Sequence, residues 1–174
     1  KACEPWVAGG KLLSEIAAIV DPARGDRPGP DGLGMVRALQ ELRHQFDLLP
    51  PDGRIDGYEL VLIPETLQVD EGLKKLRVYL KSGGALIVVG AAALDSDGKP
   101  ILDELGIVAH GESPYTATYL RPDRTIAKGL PDLDAVMYER GLRMTARKGA
   151  VALCRVVEPY FERSYAHFCS HQHT

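Results

Sequence analysis

The chain has 174 residues, 45% hydrophobic and 26% charged, with a formal charge of −3. That profile fits an ordinary globular chain with a buried core. The mild acidity gives no basic field for nucleic acid. Apolar stretches such as Ala85–Val89 are far too short to span a bilayer, and Lys1–Gly10 has no apolar leader core. A soluble domain is expected, with neither nucleic acid nor membrane as partner.

Ser14–Val20 is a short apolar run and predicts a first buried strand. Asp21–Asp31, rich in Pro, Gly and charge, predicts a loop. Asp31 is expected to cap the next helix, on which Met35, Leu39, Leu42 and Phe46 fall on one face. A brief strand at Asp47–Leu49 precedes the break at Pro50–Gly53. Glu59–Pro64 is the second clear strand. Asp70 is expected to cap a helix with Leu73, Leu76 and Leu80 inward and Lys74, Lys75 and Lys81 outward. Lys81 complements the helix dipole and Gly83 suits the position just past its end. Ala85–Gly90 is a third apolar strand. Continuous apolar strands alternating with helices predict a parallel sheet covered on both faces.

A short helix is expected at Pro100–Leu105. Beyond Gly106 no long helical period remains. Tyr115–Leu120, Val136–Thr145 and Ala150–Val157 read as strands, with a hairpin turn at Arg147–Gly149. The fold class is therefore α/β, a flavodoxin-like three-layer fold with a mostly parallel sheet and extra antiparallel strands in the C-terminal half.

The unit of strand ELVLIP, helix DEGLKKLRVYLKSGG and strand ALIVVG resembles the β-galactosidase trimerisation domain, in the class I glutamine amidotransferase-like superfamily. Tyr58, Leu60, Val61, Pro64, Tyr79, Leu80, Gly83 and Gly84 carry the resemblance, which covers Ser14–Asp95. The tail Glu158–Thr174 is similar to segments of multidomain glycoside hydrolase-like proteins, some fucosidases or galactosidases. The resemblance implies that Lys1–Leu13 links from a preceding domain, that residues 14–157 form the α/β domain, and that 158–174 run toward a following one.

Enzymes of that superfamily place a nucleophilic Cys on a sharp turn after a strand. The corresponding turn here, Gly90–Ala93, reads Gly-Ala-Ala-Ala and offers no nucleophile, so amidotransferase activity is not expected. Ligand sites in open parallel sheets gather at the carboxyl ends of the strands. This makes Glu65, Gly90, Ala91 and Asp95 candidate ligand-binding residues, since paired carboxylates can do acid–base work on a sugar. The competing reading is that Glu65 caps a loop and Asp95–Gly98 is a turn. No catalytic residue is assigned.

His167, Cys169, His171 and His173 alternate along one segment and carry zinc-ligand chemistry. An extended strand, however, spreads the first and last about 20 Å apart. A strand that pairs with a neighbouring domain is the simpler reading. The three cysteines (Cys3, Cys154, Cys169) form no C-x-x-C pair and read as free thiols. No phosphate-binding glycine motif is present, and no cofactor is expected. Tyr160, Phe161, Tyr165 and Phe168 are candidate interface residues. The function expected is a non-catalytic accessory or oligomerisation module of a glycoside hydrolase-like protein. Its partners would be neighbouring domains, further copies of itself and a bordering carbohydrate. The alternative is a ligand site built on Glu65 and Asp95.

Overall fold

In the computed structural model, which describes residues 5, 8–10, 13–21, 29–65, 67 and 72–160, each apolar run of the first half becomes a parallel strand. The chain divides into two compact units, residues 1–92 and 93–174. The first unit contains β1 (Ile16–Ile19), α1 (Pro30–Glu41), β2 (Phe46–Leu49), β3 (Leu60–Ile63), α2 (Leu73–Lys81) and β4 (Ala85–Val88). A 3-10 turn at Gly90–Ala93 follows β4. The sheet runs β2-β1-β3-β4, parallel throughout.

Side chains alternate across a strand, and here both sets are buried on the two inner strands. Ala18 and Leu62 pack with Leu39 of α1, while Ala17, Ile19, Val61 and Ile63 are buried on the opposite side. Burial of each large aliphatic group contributes about 1.5–3 kcal/mol. This is the layered, flavodoxin-like α/β arrangement that the sequence predicts.

A tyrosine joins the starts of two strands. Tyr79 is buried on the inner face of α2. Its hydroxyl lies 3.0 Å from the carbonyl of Tyr58, before β3, and 3.2 Å from that of Ala85, which begins β4. Burial raises its phenol pKa. A β-carbon on Gly84 would fall inside the Tyr79 ring, so this position requires glycine for space. Gly83 has φ +97°, the left-handed turn expected just past a helix. Tyr58 in turn donates to Asp47 Oδ2 of β2 at 2.8 Å. Lys75 is not simply outward: its Nζ donates to the carbonyls of Gly53 and Asp52, fixing the turn after β2.

The helix boundaries correct two expectations. The N-cap of α1 is Gly29, with Pro30 at the first position, and Asp31 lies in the first turn instead of capping. The helix ends at Glu41, so Leu42 is the C-cap and is 67% exposed, whereas Phe46 opens β2. Phe46 packs on the same cluster as Met35 and Leu39, and that shared core extends the apolar spacing past the helix. Asp70 lies outside the described residues. β4 is an edge strand with Ile87 47% exposed, not a strand covered on both faces.

The second unit contains a one-turn 3-10 helix at Asp103–Leu105 and strands β5 (Ile107–Glu112), β6 (Thr118–Pro122), β7 (Ala135–Met137), β8 (Leu142–Ala146) and β9 (Cys154–Val157). β5 pairs with β8, and β6 lies between β7 and β9, all antiparallel. The run read as one strand at Val136–Thr145 is thus two, β7 and β8, in different sheets. Arg147–Gly149 is a turn, closed by Ala150 N–H to Arg147 O at 3.0 Å. It is not a hairpin, because β8 and β9 do not pair.

Glu158 holds these strands together. Arg143 of β8 donates from Nε to Glu158 Oε1 at 2.7 Å and from Nη2 to Oε2 at 2.6 Å, and the buried Ser113 after β5 donates to Oε1 at 2.7 Å. The bidentate Arg143 bonds, then the Ser113 bond, lower the Glu158 pKa from 4.5 to about 2.

Two measurements test this account. Gly84→Ala is expected to destabilise the protein by about 1–3 kcal/mol in urea, an overpacking cost, whereas Tyr79→Phe removes only hydrogen bonds and costs about 1 kcal/mol. For Glu158 the folded pKa is depressed, so its contribution is present above pH 4.5 and is lost as pH falls toward 2. The Tm gap between wild type and Glu158→Gln should be widest near neutrality and shrink progressively from pH 5 to pH 2. Because the Glu158 side chain is 26% exposed, solvent screening trims the size of the gap and leaves its direction. A gap that is constant across this range would refute the ionic clamp.

Candidate functional site

The carboxyl end of the parallel sheet is built by residues that follow the strands. Glu65 comes two residues after β3, and its Oε1 accepts the backbone N–H of Ala91 at 3.0 Å. Gly90 has φ +51°, a conformation in the left-handed region. A β-carbon there would collide with the Glu65 carboxylate. The Glu65 side chain therefore lies over the Gly90–Ala91 turn, and the absence of a side chain at Gly90 makes room for it. Among the described residues Glu65 Oε2 has no hydrogen-bond partner, which leaves it as an acceptor for a hydroxyl or amine.

The structure brings Glu65, Gly90 and Ala91 together. Asp95 belongs to the second unit and is engaged by its own loop. Its Oδ1 accepts the N–H groups of Asp97 at 3.0 Å and Lys99 at 2.9 Å. The backbone closes the same turn through Asp95 N–H to Lys99 O and Gly98 N–H to Asp95 O. Such bonding is the usual work of Asp in an Asx turn.

Asp21 was missing from the sequence candidates. β1 pairs with β2 on one side and with β3 on the other, so the strand order reverses between β1 and β3. Ligands in open α/β sheets bind at such a reversal. Asp21 and Glu65 each stand two residues beyond their strands, β1 and β3, which flank this reversal. No local pattern marks Asp21, because its significance depends on strand order.

Tyr160 is described and is 89% exposed. Phe161, Tyr165 and Phe168 lie outside the described residues, as do His167, Cys169, His171 and His173. Among the described residues no group of three or more His, Cys, Asp or Glu side chains is placed to hold a metal. Cys154 is a free, exposed thiol. No described helix is long and apolar enough to cross a membrane.

Solved glycoside hydrolases share this architecture. The chain aligns with α-L-fucosidase isoenzyme 2 from Paenibacillus thiaminolyticus at a TM-score of 0.86 and 28% identity, covering 99% of this chain and 27% of that one. A β-galactosidase from Rahnella sp. R3 shares the fold at a TM-score of 0.67 and 19% identity, over 89% of this chain and 26% of that one. Gan42B, a GH42 β-galactosidase from G. stearothermophilus, does so at 0.65 and 14% identity, over 91% and 26% of the two chains. The chain spans about a quarter of the length of these proteins. No protein-family model and no curated protein matches the sequence.

The fit between Glu65 and Gly90 is testable by a double-mutant cycle. Gly90→Ala alone carries both backbone strain at positive φ and the collision with Glu65, and should cost more than about 1 kcal/mol. In a Glu65→Ala background only the strain remains, so the same substitution should cost less. Additive effects within about 0.5 kcal/mol would show that the two residues do not share this space.

Proposed function

We propose that the chain is a non-catalytic accessory module of a longer fucosidase- or galactosidase-like glycoside hydrolase. In this reading it is a trimerisation domain-like member of the class I glutamine amidotransferase-like superfamily. It assembles subunits or domains and borders a carbohydrate site. The observation that carries the reading is the alignment of 99% of this chain with only 27% of a fucosidase chain. A segment of that extent is one part of a multidomain enzyme.

The chemistry of the turn after β4 supports the non-catalytic part. Gly90–Ala93 supplies no side-chain nucleophile, and its Ala91 N–H is already taken by Glu65. Exposed apolar groups support the assembly part. Tyr160, Tyr138 and Val151 in the second unit and Val78 in the first are each well exposed, apolar groups that a contact between chains would remove from water.

A second reading, a ligand site at the carboxyl edge of the sheet, is favoured by the position of Asp21 and Glu65 just past the two strands that flank the strand-order reversal. It predicts saturable binding of a neutral sugar that Glu65→Ala abolishes.

Sedimentation equilibrium over a concentration series tests the assembly function. The expected result is a mass two or three times that of one chain at micromolar concentration, shifted toward monomer by Tyr160→Ser. A single-chain mass at every concentration would remove self-association from the function of this segment.

A further inference from the structure

A row of charged side chains crosses the three-stranded sheet of the second unit. The β6–β9 register sets Arg121 directly opposite Arg155. The β6–β7 register, continued by one residue, sets Asp134 opposite Arg121 on the other side. Directly opposed residues share a face of the sheet, so the row reads acid, base, base. Arg121 Nε donates to Asp134 Oδ1 at 2.5 Å. Arg155, on the edge strand, makes no side-chain hydrogen bond or ion pair among the described residues. Like charges directly opposite destabilise a sheet, and an anion between the two guanidinium groups would turn that cost into a gain.

Space for one exists there. Two cavities of about 290 and 300 Å³ share Arg121, Pro122, Arg124 and Asp132, and the second also reaches Asp123 and Arg155. These volumes match the lower range of small-ligand sites. Arg124, like Arg155, has no ion pair among the described residues. One acid of the lining, Asp123, is committed to its loop: Oδ1 accepts the Thr125 N–H at 2.9 Å and the Thr125 hydroxyl at 2.8 Å. Those two bonds, with the fields of Arg155 and Arg124, hold its carboxyl below the usual range. In the second cavity, which alone holds all three arginines, Asp132 adds a carboxylate acceptor, and Pro122, Ala152 and Leu153 add an apolar wall.

We propose that this second cavity binds a hydroxyl-rich monocarboxylate of the uronic acid class, with its carboxylate held among Arg121, Arg124 and Arg155. Guanidinium groups bind carboxylates through parallel charge-assisted hydrogen bonds. Asp132 accepts from a sugar hydroxyl, and the apolar wall covers the C–H face of the ring. Two carboxylates in the lining disfavour a dianion such as phosphate. The saccharide part rests on the glycoside hydrolase reading, whereas the anion part stands on the arginine geometry alone.

The test is calorimetric titration of the full chain with D-glucuronate, D-glucose and acetate. Glucuronate is expected to bind at least about tenfold more tightly than either of the others, since it alone uses both the arginines and the hydroxyl acceptor. Arg155→Gln and, on a separate loop, Arg124→Gln are each expected to weaken glucuronate about tenfold or more, with melting curves confirming folded variants. Absence of glucuronate binding, or equal affinity for glucuronate and glucose, overturns the anion site. Equal affinity for glucuronate and acetate overturns the saccharide class. Unchanged affinity in both variants places the ligand elsewhere and overturns the assignment. None of these results bears on self-association, which sedimentation reads independently.

Discussion

Tyr79 sets the geometry of the first unit. A parallel sheet must carry the chain from the end of one strand back to the start of its neighbour, and α2 performs that return from β3 to β4. The return succeeds only if the helix closes tightly and delivers the chain in register. Gly83 provides the left-handed turn, and Gly84 leaves space for the Tyr79 ring. The buried hydroxyl then faces the carbonyls of Tyr58 and Ala85, one at the entry to β3 and the other at the start of β4. The phenol thus adds a hydrogen bond to the backbone where each of two strands begins. The amino end of the sheet is thereby closed and the carboxyl end is left to the loops.

The second unit obtains its order by different means. Its strands are short and largely exposed, and few large apolar side chains are buried there. Glu158 supplies part of what the core does not, gathering Arg143 from β8 and Ser113 from the end of β5 immediately after β9. The buried Ser113 hydroxyl requires an acceptor, and the carboxylate requires donors once it is partly removed from water. Three chain segments are thus joined by mutual hydrogen-bond satisfaction.

The parallel half was legible from sequence because its strands are apolar on both faces and its punctuation is glycine and proline. β1, β3, β4 and the Gly83 turn fall where those signals place them. Phe46 misled because the core it joins is the one α1 joins, so a helical spacing ran across an element boundary. β5 was missed since His110, Gly111 and Glu112 break its apolar alternation. β7 and β8 were fused because Tyr138–Gly141 lacks a strong turn pair. The neighbourhood of Glu65, Gly90 and Ala91 was legible because each follows a strand end. Asp21 was not, and neither was the row from Asp134 through Arg121 to Arg155. Both depend on which strands are neighbours and in what register, information that no window of sequence contains.

The turn after β4 is shaped by the Glu65 carboxylate that lies against it. Catalytic turns at the carboxyl end of a strand combine a nucleophile with backbone N–H groups left open for a developing negative charge. Here the Ala91 N–H is directed into the Glu65 carboxylate, and Gly90 can be nothing larger without displacing that carboxylate. A nucleophile introduced at this turn would face the Glu65 carboxylate. That charge opposes the formation of a thiolate or alkoxide and repels an oxyanion. Hydrolytic chemistry introduced at this turn would therefore need the removal of Glu65 first.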